Sequence, residues 1–255
     1  MIRFEQVSKR LGHRMVLDGI DLEIKTGETF VIVGSSGAGK SVTLKHMIRL
    51  MTPDSGTVWV GDDEVSRARG KNLERIRSRF GVLFQSGALM QWLNAVGNVG
   101  LPLREKTNLD LDEIERRSME QLERVGLTDA AEKFPGDMSG GMRKRVALAR
   151  AIITSPEIIL YDEPTSGLDP VTSRTIDSLI NQLRDDLGVT SVVVTHDLHS
   201  ALKIGTRIAM LHEGQVVEIA TPDEFVQSEN EVVRAFLEAQ YITKEGDWSR
   251  HAKEI

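Results

Sequence analysis

The chain has no cysteine in its 255 residues. That absence excludes a disulfide framework, cysteine-ligated zinc, thiolate catalysis and iron–sulfur clusters, and it fits a reducing compartment. No apolar run reaches the roughly 18 residues a membrane-spanning helix needs, so any membrane role is expected to go through a partner. The segment from Met1 to Arg10 is charged and lacks the apolar stretch of a secretory signal. A basic surplus is missing too: 32 Lys and Arg stand against 38 Asp and Glu, for a net charge of -6. Nucleic acid is therefore not an expected partner. Internal repeats and low-complexity segments are absent. With 40% apolar and 27% charged residues, the composition is that of an ordinary globular protein. The length suits one large α/β domain or two small ones, with a core that needs no staple.

The texture along the chain is that of strands, then helices, then strands and helices in alternation. Ile2 to Val7 alternates, with Ile2, Phe4 and Gln6 expected on one side and Arg3, Glu5 and Val7 on the other. Ile20 to Ile24 alternates strictly. Thr29 to Val33 is continuously apolar, as in a strand buried on both faces of a parallel sheet. A helix is expected from Ser41 to about Met51, and strands over Thr57–Val60 and Phe80–Phe84. From about Gln85 to Phe134 the pattern turns helical. Leu111, Ile114, Met119, Leu122 and Val125 recur at near-helical spacing, with a charged, solvated face between them. This is expected to begin an inserted helical subdomain reaching to about residue 155. Ile158–Tyr161 and Ser191–Val194 flank a helical stretch, Val171 to Leu187, which restores the strand–helix–strand pattern. Ile208 to Ile219 reads as a hairpin, and Thr221-Pro222-Asp223-Glu224 as a capped helix start. Residues 1–240 form one expected unit and 241–255 a polar tail. Leu237, Tyr241 and Trp248 make that end either frayed or a contact with another chain.

Gly34-Ser35-Ser36-Gly37-Ala38-Gly39-Lys40-Ser41 follows the apolar strand and leads into the expected helix. Glycines let backbone N–H groups turn toward phosphate oxygens, and a helix N-terminus adds its positive dipole end. Lys40 supplies a point charge to the β and γ phosphates, and Ser41 offers a hydroxyl to Mg²⁺. At the end of the strand over Ile158–Tyr161, Asp162 would hold the Mg²⁺ shell and Glu163 would take a proton from the attacking water, or orient it. Hydrolysis of a nucleoside triphosphate is the expected reaction.

Further residues resemble the ATP-binding-cassette (ABC) ATPases. Gln85 looks like the Q-loop glutamine, Ser139-Gly140-Gly141-Met142 like the family signature, Ser166-Gly167-Leu168-Asp169 like the D-loop, and His196 like the switch histidine. The resemblance spans about Ile2 to Gln240. It implies a P-loop NTPase fold with a mainly parallel core sheet, an N-terminal antiparallel β subdomain and an inserted helical subdomain. It also implies ATP bound by Gly34 to Ser41, Val42 and Gln85, with Mg²⁺ at Ser41, Gln85 and Asp162, and catalysis by Glu163 and His196. Ser139, Gly140, Gly141 and Asp169 would meet the ATP of a second copy, in a head-to-tail dimer sandwiching two nucleotides. One phosphate loop and one signature per chain agree with that arrangement. Three positions depart from the family pattern. Leu11 stands where an adenine-stacking aromatic is usual, so GTP could be tolerated. Methionine stands on either side of Ser139-Gly140-Gly141, at Met138 and Met142. The cations Arg143, Lys144 and Arg145 that follow could form a solvated face.

The stretches Leu83–Leu89 and Asn98–Glu105 look like the ATPases of Mla/Mce-type lipid transporters. That likeness implies an integral-membrane permease, an MCE-type lipid-binding protein in the same complex, and a place on the cytoplasmic face of the inner membrane. Ala88, Leu89, Met90, Trp92 and Leu93 form an unusually apolar run after Gln85. Such a run receives a permease helix or fills the helical subdomain's own core. The alternatives are an ATPase for amino-acid, drug or cell-wall systems, a nucleotide switch without hydrolysis, and an ABC protein of DNA repair or translation. Neither a long coiled-coil or zinc insertion nor a second cassette is present to support the last of these.

Overall fold

The computed structural model describes residues 1–243. Strands β1 (Ile2–Leu11) and β2 (Arg14–Ile24) pair antiparallel. β3 (Thr29–Val33) leads through the glycine loop into α1 (Lys40–Met47). β4 (Ser55–Val60), β5 (Asp63–Glu64), α2 (Gly70–Ser78) and β6 (Phe80–Leu83) follow. Three helices come next: α3 (Ala95–Lys106), α4 (Leu111–Arg124) and α5 (Gly140–Ile152). Then strands and helices alternate through β7 (Ile158–Asp162), α6 (Pro170–Leu187), β8 (Thr190–Thr195), α7 (Leu198–Ile204) and β9 (Arg207–His212). β10 (Gln215–Ala220), α8 (Pro222–Val226) and α9 (Glu231–Glu238) complete the order.

One sheet is antiparallel, in the order β2-β1-β4-β5; the other runs β10-β9-β3-β8-β7-β6 and is parallel except for β10. The apolar runs explain the second sheet. Every residue of β3 and β8 is buried, which requires cover on both faces. Phe30 and Ile32 pack with the antiparallel sheet and α1, while Val31 and Val33 pack with residues of α3 to α7. Parallel pairing sets Val33 beside Thr195, Asp162 beside Val194 and Leu83 beside Tyr161. The loops after β3, β8, β7 and β6 therefore leave the sheet along one edge, where ligands of such sheets bind.

The structure corrects several local readings. Gln6 is exposed and Val7 fully buried, because Gln6 adopts φ +50° and the register shifts between Phe4 and Val7; the bulge reverses the alternation. Leu111 starts α4 at 66% exposure, so it is not part of the apolar face. Ser118 is buried there instead, donating to Ile114 O at 2.7 Å. The first helix ends at Met47, four residues short of the expected end. Helix α2 carries one buried residue, Ile76, too faint a pattern to read from sequence. Of the tail residues, Leu237 and Ile242 are buried and Tyr241 is exposed, while Trp248 lies outside the described residues.

Asp177 on α6 is buried and accepts a hydrogen bond from Ser200 Oγ at 2.5 Å. Burial pushes its carboxyl up to about 6, against the pull of the Ser200 bond. A raised folded-state value means the folded chain holds more protons between about pH 4 and 6, so stability falls as pH rises through that window. Asp177→Asn is expected to gain about 1–3 kcal/mol at pH 8, with the gain shrinking as pH drops through 6 toward 4. Urea midpoints across that range test this.

Candidate active site

Three glycines shape the loop after β3, with φ of +154° at Gly34, +78° at Gly37 and +110° at Gly39. A Cβ at Gly34 would lie 2.3 Å from Leu211 O, and one at Gly39 2.8 Å from Val16 O. Both positions thus require glycine, for conformation and for space. Gly39 begins α1 with no side-chain cap, which leaves first-turn amides for an anion. Lys40 Nζ donates to Gly34 O (2.8 Å) and Ser35 O (3.1 Å), and lies 3.7 Å from Glu163 Oε1. Burial pushes this ammonium below its ordinary value, while Glu163 and Asp162 pull it back.

Ser41 Oγ donates to Asp162 Oδ1 at 2.7 Å. The two oxygens are hard donors of the kind Mg²⁺ takes, so the residues fit that ion. Among the described residues no group of three or more His, Asp or Glu is placed to hold a metal. An ion here would rely on Gln85, phosphate oxygens and water for its other ligands.

Glu163 sits just past β7 at φ +50°, a sparsely populated conformation that persists only when its surroundings enforce it. Its N–H donates to Val194 O (2.9 Å), and its carbonyl accepts from Lys144 Nζ (2.9 Å). Its side chain is 11% exposed, with Oε2 2.8 Å from His196 Nδ1. Lys144 is itself buried. Burial lowers its ammonium to about 8, against the attraction of Asp162 and Glu163. The expectation of a solvated cationic face is thus corrected. Arg143 donates to Met138 O (2.5 Å), Arg145 to Val125 O (3.0 Å) and Gly126 O (3.1 Å), and Lys144 turns inward. Each cation is bonded to main-chain carbonyls, and on Glu163 O the Lys144 ammonium joins the Ser166 N–H (3.3 Å).

A cleft of about 850 Å³ opens over these groups. Ser35, Ser36, Gly37, Gly39, Lys40, Ser41, Val42, Gln85, Glu163 and His196 line it, while Gly34, Ala38 and Asp162 stand behind the lining. Gln85 Nε2 is 3.5 Å from Ser166 Oγ. Leu11, 42% exposed, shares the lining with Arg14 and Val16, and Arg14 donates to Gly37 O at 3.1 Å. Phe236 and Gln240 from the C-terminal end line it as well. Sequence reasoning missed Arg14, Val16, Lys144, Phe236 and Gln240 as site residues. Lys144, three residues after Gly141, was within reach of it. The others carry no local signal.

Ser139, Gly140, Gly141 and Asp169 do not join this cleft among the described residues. Ser139 caps α5, its Oγ accepting from Met142 N at 3.2 Å. Gly141 packs so tightly on Thr172 that a Cβ would lie 2.3 Å from its Cγ2. Asp169 caps α6, accepting from Val171 N and Thr172 N at 3.0 Å each.

The apolar run after Gln85 divides. Leu89 is buried in the core, which corrects its expected place on a docking face. Trp92 is 74% exposed, Ala88 is exposed, and Met90 and Leu93 are half-buried. Fully buried Asn98 ties this segment down by accepting from Met90 N (2.7 Å) and donating to Met90 O (3.0 Å) and Leu93 O (2.9 Å).

A phosphate-binding loop at the edge of a parallel sheet, with two acids and a histidine on the adjacent strand ends, defines a P-loop nucleoside triphosphatase. Residues 17–166 match the ABC transporter family, and the chain belongs to that family as the ATPase subunit of an ABC transporter. It is 38% identical to the probable ribonucleotide transport ATP-binding protein mkl of Mycobacterium leprae, over 99% of this chain and 74% of that protein. It is 41% identical to the methionine import ATP-binding protein MetN of Carboxydothermus hydrogenoformans, over 90% and 68%. Identity to the intermembrane phospholipid transport system ATP-binding protein MlaF of Haemophilus influenzae is 35%, over 94% and 91%. A dimeric, post-hydrolysis ATP-binding cassette bound to ADP and Pi matches with a TM-score of 0.80 at 35% identity, covering 87% of this chain and 99% of that one. The relatives are named for different cargoes.

Lys144→Met is expected to lower stability by about 1–3 kcal/mol, because the Glu163 carbonyl loses its charged donor and keeps only the Ser166 N–H at 3.3 Å. It should also slow phosphate release more than it weakens ATP binding. Denaturant midpoints and a nucleotide titration set against steady-state hydrolysis check both expectations.

Proposed function

We propose that this chain drives a lipid transporter of the Mla/Mce type from the cytoplasmic face of the inner membrane, hydrolysing ATP in two sites shared between two copies. The observation that carries the shared-site reading is the separation of Ser139, Gly140 and Gly141 from the chain's own phosphate cleft. A helix N-terminus capped by serine and followed by glycine is suited to phosphate, and a head-to-tail partner would bring it one. Asp169 would accompany it from the D-loop, although its carboxylate is engaged in capping α6.

Within each site, Lys40 and the loop from Gly34 to Ser41 would hold the phosphates, with Val42 and Gln85 beside them. Bound Mg²⁺, held by Ser41, Asp162 and Gln85, would neutralise charge developing on the β and γ phosphates. Glu163 would accept the proton of the attacking water or orient it, and the His196–Glu163 bond would set the histidine near the γ-phosphate. Leu11 would pack against the base without stacking, which permits GTP as well as ATP. Trp92, Ala88, Met90 and Leu93 would receive a cytoplasmic helix of the permease, on a segment that Asn98 and Leu89 hold rigid. An MCE-type lipid-binding protein would complete the assembly. Likeness to MlaF over 91% of that protein supports lipid as the cargo. The 41% identity to MetN favours the second reading, an amino-acid importer.

Glu163→Gln is expected to cut phosphate release at least about 100-fold and to form a dimer with ATP in light scattering. A variant that stays monomeric with ATP removes the shared-site reading. Purification of the tagged chain from membranes should bring permease and phospholipid with it; an amino-acid-binding partner instead decides for the rival. Trp92→Glu should lose the permease while the isolated ATPase stays active. Retention of the permease overturns the docking surface.

A further inference from the structure

The turn after α9 brings Gln240 against the loop that carries His196. Gln240 Nε2 donates to His196 O at 2.8 Å, and its Oε1 accepts from Leu198 N at 2.8 Å. One side-chain amide thus brackets the main chain on both sides of Asp197. Leu198 N belongs to the first residue of α7, a donor that the helix itself leaves without a partner. The rest of the loop is satisfied locally: Asp197 N donates to Thr195 Oγ1 (3.1 Å), and Asp197 Oδ1 accepts from Ser200 N (3.2 Å). The two groups that Gln240 takes are served from 44 and 42 residues away. His199 Nε2, 3.3 Å from the main-chain carbonyl of Gln240, adds a third link.

The clamp has a firm base. Val233 and Leu237 of α9 are buried in the core, and so is Ile242, whose N–H donates to Leu237 O at 3.0 Å. Gln240 therefore projects from a turn pinned on both sides. The His196 side chain is 60% exposed and its ring is 2.8 Å from Glu163 Oε2. With so little packing around the ring, its place depends on where the main chain is held.

We infer that Gln240 is a positioning residue for ATP hydrolysis, through which the C-terminal helix holds His196 at its working distance from Glu163. This rests on the reading of His196 and Glu163 as the hydrolytic pair. Gln240 lines the cleft, but both polar atoms of its amide are taken by His196 O and Leu198 N, so the phosphates are left to the loop from Gly34 to Ser41. A force or partner that moves α9 would thus change turnover and leave ATP binding intact.

The test uses the full chain with Gln240→Ala and the near-isosteric Gln240→Glu, which keeps an acceptor for Leu198 N but sets a second oxygen against His196 O. Both are expected to lower kcat about five- to tenfold, with the Kd for a fluorescent ATP analogue within about twofold of the parent. Hydrogen exchange at the Leu198 amide should quicken in Gln240→Ala while the α1 amides stay unchanged. A kcat within about twofold of the parent in both variants overturns the proposal. So does a loss of ATP binding and melting temperature in step with kcat, since that reports only damaged packing. His196→Ala is the control on the underlying reading. If it hydrolyses ATP at the parent rate, the hydrolytic pair is misassigned and the clamp falls with it. If it is slow while both Gln240 variants are fast, only the clamp falls.

Discussion

Parallel pairing of β3 with β8, β8 with β7 and β7 with β6 aligns four strand ends, and the rest of the site hangs on that register. The phosphate loop, Gln85, the Asp162–Glu163 pair and His196 come from segments far apart in the chain. They meet because each follows a strand in one row. Side chains alternate faces along a strand, so a slip of one residue in β7 would turn Asp162 away from Ser41. The apolar faces prevent such a slip, since every residue of β3 and β8 has a buried place that only one register fills.

On this frame Glu163 and His196 are held by their backbones as much as by their side chains. Glu163 keeps a strained φ because Val194 O and Lys144 Nζ hold its N–H and carbonyl from opposite sides. His196 is held in the same way by Gln240. The two holders come from different places. Lys144 lies on the helix that Ser139 caps, so the element proposed to meet a partner's nucleotide is bonded to the main chain of Glu163. Gln240 belongs to the C-terminal segment, well outside residues 17–166 that define the family. Both holders thus come from elements outside the phosphate loop.

The legible part of the site was the part whose chemistry is local. Gly34 to Ser41 could be read directly, because a phosphate loop needs its glycines, lysine and hydroxyl at fixed short spacing. Glu163 was readable from its place at the end of an apolar strand, and His196 from its likeness to the switch histidine of the ABC ATPases. The capped start of α8 was also as expected, with Thr221 N donating to Glu224 Oε2 at 2.9 Å. The apolar run after Gln85 was visible as a run, yet its pattern could not separate buried Leu89 from exposed Trp92. That division comes from Asn98, which fixes how the segment lies on the helices.

The amino-acid sequence by itself determined the class of chemistry, most of the order of strands and helices, and the membership of a nucleotide-hydrolysing family, because these rest on periodicity and on motifs of a few consecutive residues. Tertiary structure alone decided that Lys144 faces inward, that the bulge at Gln6 reverses the buried face of β1, and that Gln240 reaches the loop that carries His196. Each of these depends on a hydrogen bond or a packing choice between residues distant in the chain, and spacing along a sequence carries no record of which distant groups will meet.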